Sequence, residues 1–158
     1  MGVEISLTGK NAIVTGGGGG MGRCTARMLA RAGANVLVSD MDGAAAEETV
    51  AQIKAESDVK ALSMVCNVTS KADIDRMVAA ALDAFGRIDI LNHIAGVFGA
   101  VDFLEATEAD YDKQLDINTK GTFFVDQAVL KAMIPNRAGK IVNMCSQAGK
   151  YGFPTNVA

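Results

Sequence analysis

One histidine, three cysteines and no long apolar run bound what this 158-residue chain can be. The lone imidazole, His93, and the scattered Cys24, Cys66 and Cys145 leave too few ligands for a zinc site, so no metal is expected. There is no C-x-x-C pair, and the odd count does not suit a disulfide framework. The cysteines are expected to be small buried or half-buried residues in a reducing compartment, the cytoplasm. No stretch is apolar for long enough to span a bilayer, and no basic-then-apolar leader is present, so no membrane association is expected. Met1-Gly2-Val3-Glu4-Ile5-Ser6 fits the loose pattern for N-myristoylation but reads better as the lead into a first strand. A net charge of −3 gives no footprint for nucleic acid or an anionic lipid surface. What remains is a globular composition, 49% apolar, long enough for one domain with a sizeable core.

The most informative stretch is Thr15-Gly16-Gly17-Gly18-Gly19-Gly20-Met21-Gly22. The apolar run Ala12-Ile13-Val14 leads into it and a helical pattern, Arg23 to Ala32, leads out. Strand, glycine turn and helix is the arrangement that holds a dinucleotide pyrophosphate, because glycine lets backbone approach phosphate without a Cβ in the way. The helix that follows offers unpaired N–H groups and a partial positive charge to the anion. A flexible linker would not be flanked by such elements.

The helix carries Cys24, Met28 and Leu29 on one stripe and Arg23, Arg27 and Arg31 on another, and stops at Gly33. Strand two, Asn35 to Ser39, is a run of the kind buried on both faces of a parallel sheet. It ends at Asp40, an acid placed to accept hydrogen bonds from an adenosine ribose and to repel a 2′-phosphate; Met41 follows where a phosphate binder would be basic. The plainer alternative is that Asp40 or Asp42 caps the next helix, Ala44 to Glu56. Strand three, Val59 to Val65, leads to Cys66-Asn67-Val68, where Asn67 is either an adenine contact or a turn residue. Ser70-Lys71-Ala72-Asp73 starts a helix that places Ile74, Met77, Val78, Ala81, Leu82 and Phe85 on one face, and Gly86 ends it. Strand four, Ile88 to Ile94, precedes Ala95-Gly96; His93 there is expected to be packed or hydrogen-bonded rather than catalytic, having no visible partner. Gly96 to Ala106 reads as loop and short helix. A long helix runs from the Thr107–Asp110 capping box to about Met133, before Pro135. Asn118 and Gly121 violate helix propensity in its interior, and such violations mark function. Strand five, Lys140 to Cys145, ends at Ser146, and Gly149, Gly152 and Pro154 make a loop. No repeat or linker interrupts the alternation, which specifies a Rossmann-type doubly wound parallel sheet, ordered 3-2-1-4-5, in a three-layer α/β/α domain.

Taken together, Thr15-Gly16-x-x-x-Gly20-x-Gly22, Asp40, Asn67-Val68, Ala95-Gly96, Asn118 and Ile141-Val142-Asn143-Met144-Cys145-Ser146 resemble the short-chain dehydrogenase/reductase family along the whole chain. The resemblance implies NAD-dependent hydride transfer between a secondary alcohol and a ketone. Gly16, Gly18, Gly19, Gly20, Met21 and Gly22 would match the pyrophosphate turn, Asp40 and Met41 the NAD-selecting position, Asn67 and Val68 the adenine contacts, and Ala95 and Gly96 the wall at the end of strand four. Ser146 would match the serine that hydrogen-bonds the substrate oxygen. Asn118 would match the asparagine whose helix irregularity positions a water in the proton relay. Gly96 to Phe103 and Gln147 to Pro154 would line the substrate side. A homo-oligomer, dimer or tetramer, is implied for the full-length form.

Two departures stand out. His93-Ile94 replaces the family's Asn-Asn before Ala-Gly. The acid/base pair, Tyr-x-x-x-Lys, is not in the chain: Tyr111 is followed at i+4 by Leu115 and Tyr151 by Thr155, and the family spacing places the tyrosine just past Ala158. Residues 1–158 are therefore expected to be a cofactor-binding Rossmann domain that is incomplete at its carboxyl end and inactive by itself. The alternatives are a non-catalytic NAD-binding module and a different Rossmann enzyme, such as an S-adenosylmethionine methyltransferase; Asn118 and Ser146 argue against the latter.

Overall fold

Strand β1, Asn11–Thr15, is wholly buried and is the axis about which the other elements are arranged. The structure, a computed structural model, describes residues 5–151. The lead-in to Ser6 and the loop residues Gly152 and Pro154 lie partly or wholly outside that range. In chain order follow α1 (Gly20–Arg31), β2 (Asn35–Asp40), α2 (Gly43–Glu56), β3 (Ala61–Val65), α3 (Lys71–Phe85) and β4 (Ile90–His93). Then come α4 (Glu108–Gln114), a π-helical stretch (Leu115–Gly121), α5 (Thr122–Met133) and β5 (Lys140–Asn143). Short 3-10 turns occupy Ile134–Asn136 and Gln147–Gly149.

The sheet has five parallel strands in the expected order, β3-β2-β1-β4-β5. Alternation along the strands divides the core in two. Ile13, Leu37 and Leu91 pack with α3 and α5 through Ile74, Met77, Val125 and Val129. Val14, Val36 and Val38 pack with α1 and α2 through Ala26, Ala30, Val50 and Ile53. Each of the larger aliphatic side chains contributes about 1.5–3 kcal/mol by leaving water.

Local signals set the helix starts. Asp42 accepts from Ala45 N, Ser70 from Asp73 N, and Thr107 and Asp110 form a reciprocal capping box. Asp42, rather than Asp40, therefore caps α2. The long helix is interrupted where Asn118 and Gly121 stand, and the interruption is a full π-helical stretch.

Several expectations are corrected. Helix α1 begins within the glycine run, at Gly20, and turns Gly22, Ala26 and Ala30 inward rather than Cys24 and Met28, which are exposed. Small side chains let the helix lie close to the sheet, and a Cβ on Gly22 would meet Gly16 O at 1.9 Å. Cys66 is buried as expected, but Cys145 is exposed along with Cys24. Strands three, four and five are shorter than expected at one or both ends, although Asp89 N still donates to Asn11 O and Met144 N to His93 O at 2.9 Å just outside the assigned spans. No helix forms between Gly96 and Ala106; only a turn at residues 103–105 does. Strand β5 is one edge of the sheet and β3 the other, with Val142 on β5 55% exposed.

Candidate active site

The strand order reverses at β1, and a cavity of about 390 Å³ opens there at the carboxyl ends of the strands. Gly16 and Gly19 form one side of it, and Asp40 and Met41 the end of β2. Cys66, Asn67 and Val68 come from the end of β3, and Ile94, Ala95, Gly96 and Val97 from the end of β4. Ile117, from the π-helical stretch, completes the wall.

The glycine turn is held from behind. Gly16 has φ +65°, and a Cβ there would sit 2.7 Å from Ala95 N, so only glycine fits between β1 and the β4 exit. The buried Thr49 hydroxyl of α2 donates to Gly17 O at 2.9 Å. Arg23 Nε donates to Gly18 O at 3.1 Å and to Thr49 Oγ1 at 3.0 Å, while its Nη2 pairs with Glu48 at 2.9 Å. With these carbonyls engaged, the N-terminus of α1 is left without any side-chain cap or first-turn acid. Its leading N–H groups and dipole are available to an anion.

Asp40 closes onto the turn. Its Oδ2 accepts from Gly18 N at 2.8 Å and its Oδ1 from Asp42 N at 3.0 Å. A carboxylate offers about four acceptor sites, so two remain for a diol. Asn67 behaves as a turn residue: its Oδ1 accepts from Thr69 N and Oγ1 at 3.0 and 2.9 Å. It nevertheless lines the cavity, its backbone N donating to Asp73 Oδ2 at 3.1 Å. That bond, followed by the one from Ser70, holds the Asp73 carboxyl below its ordinary value. Burial raises the Cys66 thiol, keeping it protonated at the cavity wall.

Asn118 ties the π-helical stretch to the loop after β4. Its Oδ1 accepts from Val97 N and its Nδ2 donates to Val97 O, both at 2.9 Å. Its own carbonyl accepts from Thr122 Oγ1 at 2.7 Å. Gly96 and Val97 thus reach the cavity through Asn118, which does not line it.

The remaining expected residues sit apart from the cavity wall. Gly18, Gly20, Met21 and Gly22 shape the turn and helix start behind Gly19. Ser146 is exposed beyond β5, its Oγ accepting from Ala148 N at 3.1 Å, and is not brought to the cavity. Of the loop Gln147 to Pro154, residues 152–154 are outside the described range. His93 is buried, as expected, with Nδ1 2.8 Å from Thr15 Oγ1. Burial lowers its pKa below the ordinary 6.5, with Asp126 opposing. Sequence reasoning missed Thr49 and Arg23, which hold the turn's carbonyls, and Ile117; each is set by a partner on another element. Among the described residues no group of three or more potential metal ligands gathers. No helix among them is long and apolar enough to cross a membrane.

A glycine turn and an uncapped helix at the switch point of an open parallel sheet define the nucleotide-binding class of Rossmann folds. The chain belongs to the short chain dehydrogenase family, whose model matches residues 10–158. It is 44% identical over 149 residues to sorbitol dehydrogenase of Cereibacter sphaeroides, covering 94% of this chain and 57% of that protein. Galactitol 2-dehydrogenase of Agrobacterium fabrum is 40% identical, with 94% and 57% covered. Among solved structures, NAD+-bound xylitol dehydrogenase superposes with a TM-score of 0.91 at 37% identity, covering 94% of this chain and 57% of that one. A putative short-chain alcohol dehydrogenase from Sinorhizobium meliloti gives 0.92 at 33% identity, covering 98% and 61%. The chain thus spans little more than half the length of these relatives. The family is one of oxidoreductases that use nicotinamide cofactors.

Proposed function

We propose that these residues are the cofactor-binding part of an NAD(H)-dependent oxidoreductase acting between a secondary alcohol and a ketone. The observation that supports it most is the Asp40 carboxylate at the end of β2, fixed by Gly18 N and Asp42 N with acceptor capacity left over. Two ribose hydroxyls suit those sites, whereas a 2′-phosphate would meet like charge, and Met41 offers no cation to balance it. Gly19, Gly20, Met21 and Gly22 would hold the pyrophosphate at the N-terminus of α1, whose first turn carries no acid. Asn67 and Val68 would flank the adenine, and Ala95 and Gly96 would back the ribose on the nicotinamide side. When bound, the cofactor supplies hydride chemistry at its nicotinamide ring.

What the chain does for that chemistry is position and shield. Thr49 and Arg23 hold the turn open to the anion, Asn118 holds Val97 and with it the β4 exit, and Ile94 and Ile117 keep the wall apolar. Ser146 is assigned to hydrogen-bond the substrate oxygen and Asn118 to the proton relay. Both roles rest on family spacing, since neither lines the cavity. Without a Tyr-x-x-x-Lys pair in these 158 residues, the chain by itself is expected to bind cofactor and not to turn over. The alternative of a non-catalytic NAD-binding module shares every one of these contacts. The small-molecule alcohol or ketone substrate follows the names of the relatives. A homo-oligomer in the full-length form is supported by exposed Phe123 and Leu130 on α5 and Ile134 in the turn after it, and a cytoplasmic setting by three free thiols.

Titration calorimetry of the chain with NAD+, NADP+ and S-adenosylmethionine tests the reading. NAD+ should bind tighter than NADP+ by about tenfold or more. Binding of S-adenosylmethionine alone would overturn it.

A further inference from the structure

Thr15, His93 and Asn143 stand in one row across three strands: Thr15 is the ladder partner of His93, and His93 of Asn143. In-register residues of a parallel sheet point to the same side. Thr15 Oγ1 has three partners. It accepts from Ile94 N at 3.1 Å and from Ala95 N at 3.2 Å, and it lies 2.8 Å from His93 Nδ1. A hydroxyl has one proton and two lone pairs. Both lone pairs face backbone N–H groups, so the proton is left for Nδ1, which must accept it. A neutral imidazole with an unprotonated Nδ1 carries its proton on Nε2.

We propose that His93 is a positioning residue: locked as its Nε2–H tautomer, it orients the Thr15 hydroxyl so that Thr15 clamps Ile94 and Ala95, the wall of the cofactor cavity. The surroundings agree. Nε2 and Asp126 Oδ1 are both buried without a hydrogen-bond partner, and a donor nitrogen is the form that an acidic oxygen on α5 favours. Asp126 is itself held by Asn143 Nδ2 at 2.7 Å. Burial keeps the ring neutral, as the clamp requires. His93 thus supplies at this strand end an acceptor that Ile94, apolar, does not.

The chain has a single histidine, so 15N-histidine labelling of the untagged chain gives one unambiguous imidazole. Long-range proton–nitrogen correlation should show Nδ1 bare and Nε2 protonated. An Nδ1–H tautomer, or an averaged mixture, would overturn the proposal. Amide exchange reads the clamp directly. In Thr15→Val and in His93→Ala, Ile94 and Ala95 amides should exchange about five- to tenfold faster, and the double variant no faster than either. His93→Asn, whose amide oxygen can accept the same proton, should restore most of the protection. Additive effects, or unchanged exchange in Thr15→Val, would sink the clamp; since Thr15→Val leaves the ring in place, it stands even if His93→Ala folds poorly. Weaker NAD+ binding by His93→Ala, largely restored in His93→Asn, is a further expectation. That last measurement alone rests on the function proposed above, so a chain that fails to bind NAD+ leaves the tautomer and exchange results to decide this inference.

Discussion

Asp40 Oδ2 accepts from Gly18 N at 2.8 Å, so the acid at the end of β2 is a strut of the glycine turn as well as the ribose acceptor proposed above. Asp40→Ala removes both. Losing charge-assisted hydrogen bonds costs about 1.5–3 kcal/mol, so NAD+ affinity should fall roughly 10- to 100-fold, while NADP+ affinity falls less or rises. Calorimetry with both cofactors checks the change in ratio.

Two neighbouring glycines should respond oppositely to the same substitution. A Cβ at Gly22 would sit 1.9 Å from Gly16 O, whereas at Gly19 nothing lies within 4 Å. Gly22→Ala must push α1 off the turn and should cost about 1–3 kcal/mol or more of stability. Gly19→Ala should keep stability within about 0.5 kcal/mol, yet weaken cofactor binding, because Gly19 lines the cavity. Thermal melts beside NAD+ titrations separate the two outcomes.

Thr49→Val keeps the shape of a fully buried side chain but strips the donor from Gly17 O. An orphaned buried carbonyl costs about 1–3 kcal/mol. Chemical denaturation should show a lower midpoint with an unchanged m-value, since the exposed area on unfolding is the same.

Asp73 gives a pH dependence with a definite sign. Its folded pKa is depressed below 3.8 by Asn67 N and then Ser70. Its contribution is therefore present above pH 3.8 and lost as pH falls through the lower folded value. The thermal midpoint of the chain should drop on acidification from about pH 5 downwards, and Asp73→Asn should flatten part of that slope. An identical slope in the variant would show that the Asn67 turn does not depend on this carboxylate.

Much of the molecule was legible one segment at a time. Caps at Ser70 and Thr107, the αL Gly86 after α3, the apolar β1 and β2, and the break at Asn118 and Gly121 are all decided within a turn or two of chain, where side chain and backbone meet by proximity. The doubly wound parallel class follows from alternation and handedness, which need no contact information, and the glycine turn after β1 selects the order 3-2-1-4-5 within it. What only tertiary structure decided are pairings across long separations. The inward face of α1 has no signal in bulk, because Gly22, Ala26 and Ala30 bury no large side chain; on the stripe of Cys24, Met28 and Leu29 the first two are exposed, and the close approach that selects small residues is a property of the sheet beneath. Thr49 reaches Gly17 over 32 positions, and His93 reaches Thr15 over 78. The sequence by itself determined that a glycine turn sits at the head of a parallel sheet. Which side chains hold that turn rigid was decided by folding, because a hydrogen bond has no periodicity to announce it.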